Sequence, residues 1–168
     1  MASIDEGNES PVVKPRVVSI GLVADPELPT EIAKDLAEQL PELLRDRIDA
    51  QTGWVVSVRR EPLPVHQRPR GLIEAISRLL ESEDWDLSIC LTDLPLQVDG
   101  RSVVAEASLD RHVGFISLPA LGPAQAHERT RDVIVRLVEE LLAEGEQSAE
   151  AARRAGVDRH SLAFGRAA

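Results

Sequence analysis

A mixed α/β (α+β) domain, with a sheet of about five strands between helical layers, is what this 168-residue chain predicts, and three observations carry it. Short runs such as VVSIGLV and LSICL are apolar but for one serine each, as strands covered on both faces are. Apolar stripes at helical spacing separate the first three of these strands. Residues 86–123 then hold three strand-like segments in succession, followed by a one-sided helix. A helical crossover makes parallel neighbours and a tight turn makes antiparallel ones, so the order β-α-β-α-β-β-β-α implies a mixed sheet in three layers.

Taken in order, the first strand is 17–23 and stops at Asp25-Pro26. Thr30 is placed to cap a helix over about 30–49, on which Ile32, Leu36, Leu40, Leu44 and Ile48 share a face; Pro41 removes a backbone donor and predicts a kink or break near Gln39-Leu40. Strand 54–60 alternates and ends at the prolines 62 and 64. Leu72, Ile73, Ile76, Leu79 and Leu80 place a second helix at about 70–81, and LSICL, 87–91, reads as a central strand. Asp99-Gly100 signals a tight turn before the strand SVVAEA, and VGFISL follows a polar LDRH. Val133, Ile134, Leu137, Val138, Leu141 and Leu142 form the stripe of a helix over about 124–144. The domain is thus expected over 16–144, between a flexible tail, 1–15, and a weakly anchored helical or disordered tail, 145–168.

Nineteen Lys and Arg against 29 Asp and Glu give a net charge of −10, which repels phosphate backbones and anionic head groups, so nucleic acid is not an expected partner. Cys90, the only cysteine, admits no intramolecular disulfide and fits a reducing, cytoplasmic setting. No apolar run is long enough to span a membrane and the start lacks a secretion signal, although the abrupt ending SLAFGRAA is compatible with a longer, membrane-attached protein.

Asp25 and the pair Thr92-Asp93 fall just past strand ends that open on one edge of a parallel sheet, where ligands bind; the competing account is that Asp25 caps a turn and Asp93 bonds loop amides. His66, His112, His127 and His160 share no ligand spacing, and His112 and His127 could approach each other only if the strand VGFISL and the start of the helix after it fold side by side, so neither a metal nor a cofactor is expected. Cys90 reads as a small buried hydrophobe rather than a nucleophile. Neither a Gly-rich phosphate loop nor Gly-x-Ser-x-Gly occurs.

Set beside this order of elements, Leu91-Thr92-Asp93-Leu94, Val103 to Ala107, Ile116-Ser117-Leu118 and Glu128-Arg129 give the chain a resemblance, over about 17–142, to the archaemetzincin family of zincin-type metalloproteases. The resemblance implies a zincin-like fold. It also implies a helix bearing His-Glu-x-x-His, in which two histidines bind zinc while the Glu activates the bound water. At the matching place this chain reads Val135-Arg136-Leu137-Val138-Glu139, without the metal ligands or the base, so peptidase activity by that mechanism is not expected. In such folds the edge strand pairs with extended peptide, which makes Val103, Val104, Ala105 and Glu106 candidates for a partner-binding edge. A non-catalytic protein- or peptide-binding or regulatory module is therefore the expected function. The alternative is a hydrolase or transferase using Asp25, Asp93 and a loop histidine such as His112.

Overall fold

A computed structural model describes residues 14–63, 69–98 and 100–154. Strand β1 (Val17–Ala24) sends Val18, Ile20, Leu22 and Ala24 to one face of the sheet and Val23 to the other, so both faces are covered. Helix α1 (Leu28–Arg47) buries Ile32, Leu36, Leu40 and Leu44 and returns the chain to β2 (Gly53–Arg60), which pairs parallel with β1. Helix α2 (Pro69–Leu79) crosses the opposite face to β3 (Leu87–Thr92), a strand buried along its whole length and parallel to β1. Beyond β3 the chain makes a small hairpin, β4 (Leu96–Val98) and β5 (Arg101–Val103), then β6 (Ala105–Ser108) and β7 (Val113–Ser117). A one-turn helix, α3 (Leu118–Leu121), leads into the long α4 (Ala126–Arg154).

The main sheet has five strands in the order β2-β1-β3-β7-β6; β6 alone is antiparallel to its neighbour. Helices α1 and α4 cover one face over a core of Ile20, Leu22, Ile89, Leu91, Ile116, Ile134 and Leu141. On the other face α2, Leu63 and Trp85 cover Val23, Cys90, Val113 and Phe115. Trp85 lies directly on Gly21, where an added Cβ would stand 2.0 Å from the indole. The three layers and the five-strand mixed sheet are those the sequence predicts. Among the described residues no helix is long and apolar enough to cross a membrane.

Two local expectations are corrected. Helix α1 runs uninterrupted across Pro41, because Leu36, Leu40 and Leu44 hold both sides of the proline against the sheet. That packing outweighs one lost hydrogen bond. SVVAEA is two strands rather than one, since the chain bends at Val104. Val103 pairs back with Leu96 in the hairpin, whereas Ala105 pairs with Ile116 in the main sheet. Val103 is therefore not part of the sheet edge. Helix α4 also continues through Gly145, where Arg16 on the approach to β1 reaches Glu146 at 3.0 Å.

Candidate functional site

The C-terminal ends of β1, β3 and β7 share one edge of the sheet, and the residues just past them form a bonded network. Asp25 is its centre. Its Oδ2 accepts from Thr92 Oγ1 at 2.6 Å, and its Oδ1 accepts the Leu63 amide at 2.7 Å. Its carbonyl accepts from Thr30 Oγ1 at 2.7 Å, and its own amide donates to the Leu91 carbonyl at 3.0 Å. One buried aspartate thereby ties together β1, β3, the start of α1 and the segment after β2. Thr92 Oγ1 in turn accepts the Leu94 amide at 3.2 Å, and Ser117 Oγ donates to the Leu94 carbonyl at 2.8 Å.

An acidic side chain on a threonine hydroxyl has the form of a base beside a nucleophile. Here Asp25 is 5% exposed and Thr92 4%, both carboxylate oxygens are occupied, and the hydroxyl already accepts from a backbone amide. The arrangement does what a structural clamp does: it satisfies polar groups that burial would otherwise leave unpaired. Cys90 lies fully buried on the same face; burial first, and the Asp25 charge second, push its thiol well above the ordinary cysteine range, away from thiolate chemistry.

Asp93 does not join Asp25. It follows Thr92, and the period-two alternation of a strand sends it to the other face. There it is exposed and lines a cleft of about 730 Å³ between the starts of α1 and α4 and the α3 turn. The apolar wall is made by Leu28, Ile32, Leu118 and Pro119, and the polar groups are Asp93, Gln125, Glu128 and His127, the last bonded through Nε2 to Asp35 Oδ2 at 2.9 Å.

His112 and His127 lie far apart. His127 sits in the first turn of α4, whereas the His112 ring lies beside Gly145, 18 residues further along that helix and about 27 Å away at 1.5 Å per residue. His66 and His160 lie outside the described residues. Among the described residues no three His, Cys, Asp or Glu side chains are placed to hold a metal ion. In α4 the segment Val135–Glu139 buries Val135, Leu137 and Val138 and exposes Arg136 and Glu139. The candidate edge residues are divided. Val103 is in the hairpin, and Val104 is the bend, its carbonyl accepting the Ser117 amide at 2.8 Å. Ala105 and Glu106 are in β6, one rim of the main sheet.

That single bond sets the pattern of β6. Val104 and Ser117 form a hydrogen-bonded pair, so in antiparallel alternation Glu106–Phe115 and Ser108–Val113 do as well. The amides and carbonyls of Ala105 and Ala107 therefore point outward from the rim. Leu63, Thr30 and Ser117 were not legible as partners of the Asp25–Thr92 network, because each comes from a different segment and no spacing links them.

No protein-family model matches the chain, and no curated protein does. Among solved structures it is similar to the crystal structure of archaemetzincin from Methanopyrus kandleri, at 19% identity and a TM-score of 0.48, over 79% of this chain and 73% of that one. It is also similar to a structure of a chaperone–substrate complex, at 13% identity and a TM-score of 0.44, over 68% of this chain and 25% of that one. The first of these is a weak structural likeness, and it is to a protein of the family whose resemblance is read from the sequence.

Proposed function

We propose that this chain is a non-catalytic module that binds an extended protein or peptide segment by strand addition to β6. The observation that carries the proposal is the outer rim of β6, which pairs with no strand among the described residues and where two alanines face outward with both backbone groups. Such a rim is a template for a further strand, and alanine side chains leave an incoming chain room to approach. The opposite rim, β2, ends in Arg59 and Arg60, charges of the kind that discourage pairing; β6 has only Glu106. A hydrolase or transferase built on Asp25 and Asp93 is the weaker reading, because the first is internally bonded and the second lies on another face. A partner that is protein rather than nucleic acid accords with the net charge of −10, and a cytoplasmic setting with a single buried cysteine.

Amide exchange tests this directly. In the free protein the amides of Ala105 and Ala107 should exchange fast and those of Glu106 and Ser108 slowly. A heptapeptide of alternating Val and Thr should slow the first pair. Ala107→Pro, which deletes an outward donor without touching the inner ladder, should abolish that effect while the fold persists. Protection at 53–60 instead, or none anywhere, would refute strand addition at β6.

A further inference from the structure

The cleft just past the end of β7, the strand that pairs with β6, bears on what the bound segment contains. We infer that it receives a lysine or arginine side chain of the same partner segment, an inference that rests on strand addition at β6. Leu28, 51% exposed, and the exposed Pro119 give the cleft an apolar rim open to solvent, above the buried Ile32 and Leu118. Asp93 and Glu128 line the cleft with no Lys or Arg in its lining, and among the described residues neither carboxylate forms an ion pair. His127 is held by Asp35, and the guanidinium of nearby Arg129 donates to the Leu121 carbonyl at 2.6 Å.

An apolar wall with an unpaired carboxylate complements a long basic side chain, whose methylenes lie on the wall while the charged head reaches the acid. Neither a purely apolar nor an acidic side chain satisfies both parts. The cleft is also within reach of β6. Val104 accepts the Ser117 amide, and the next two residues, Leu118 and Pro119, are cleft wall. A segment paired with β6 that continues past Ala105 comes to this wall in about three residues, at roughly 3.3 Å each.

The test uses three heptapeptides of alternating Val and Thr, each extended by a short segment ending in Arg, Ala or Glu, titrated into the full chain at low and high salt. The Arg peptide should bind roughly fivefold tighter than the Ala peptide and tighter still than the Glu peptide, with the gap narrowing in high salt. Asp93→Asn with Glu128→Gln should remove the preference and leave the exchange protection at Ala105 and Ala107 intact. Glu38→Gln with Glu42→Gln, equal in charge but in a separate hollow near the other end of α1, should leave it unchanged. Equal binding of the three peptides, or an equal loss in the Glu38 and Glu42 variant, would overturn the cleft assignment while leaving the edge reading standing. Absence of binding by all three would overturn both. Cleft protection that rises with protein concentration alone would assign the cleft to a second copy and overturn the proposal.

Discussion

Thr92→Val separates a clamp from a catalytic pair. The substitution keeps the side-chain volume and removes one hydroxyl, which donates to Asp25 Oδ2 at 2.6 Å and accepts from the Leu94 amide at 3.2 Å. A hydrogen bond to a charged group is worth about 1.5–3 kcal/mol, and a buried carboxylate oxygen left unpaired realises that loss. Leu94 is only half-buried, so its amide can turn to water at a cost of about 0.5 kcal/mol. The expected destabilisation is therefore about 2–3.5 kcal/mol. With a urea slope of about 2 kcal/mol per molar, the midpoint should fall by roughly 1–1.8 M, followed by the fluorescence of Trp54 and Trp85 at neutral pH. Combined with Asp25→Asn, the double variant should lose less than the sum of the two, by about 1 kcal/mol or more, because the groups share one bond. A loss below about 0.5 kcal/mol with strict additivity would refute the clamp, as would a stability gain from Asp25→Asn, the signature of a residue held strained for catalysis.

Gly21→Ala should destabilise by about 3 kcal/mol, and the tryptophan emission should move to longer wavelength, since the new Cβ would stand 2.0 Å from the Trp85 ring and displace it; an unchanged spectrum would mean that Trp85 does not lie on Gly21. Cys90, fully buried and with its thiol pushed up chiefly by burial, should react with an aromatic disulfide reagent roughly a thousandfold more slowly in the native protein than in urea. Fast native labelling would contradict its place in β3. The Thr52 hydroxyl first, and the Gln51 amide next, hold the Asp49 carboxyl below its ordinary value, so its contribution is full above the unfolded pKa and fades as pH falls through the folded one. Asp49→Asn should accordingly flatten the loss of stability between about pH 5 and pH 3, measured as urea midpoints; parallel curves for variant and wild type would show that the loop bonds do not act through its charge.

Much of the framework was legible because burial writes a periodic signal. Leu87, Ile89 and Leu91 on one face of β3 and Ser88, Cys90 and Thr92 on the other are all covered, and that double coverage is why LSICL reads as a central strand. The stripe of α4 was visible for the same reason. The failures share another cause, which is competition between local preference and distant contacts. Pro41 disfavours a helix locally, yet Leu40 and Leu44 are fully buried and keep it going. SVVAEA has the composition of one strand, yet Leu96 and Ile116 claim its two halves. The bend between them depends on partners that no local pattern names.

The same division holds for the candidate sites. The amino-acid sequence by itself determined that Asp25, Thr92 and Asp93 follow strand ends, that the chain is strongly acidic, and that Val135–Glu139 lacks both histidines of His-Glu-x-x-His, because these are matters of identity and spacing along the chain. Only the tertiary structure decided that Asp25 and Thr92 are closed on each other, that Asp93 faces the opposite cleft, and that Ala105 and Ala107 turn their backbone groups outward. Those outcomes depend on side-chain alternation across paired strands and on donors brought from Leu63, Leu94 and Ser117, and such relations exist only once the strands have found their register.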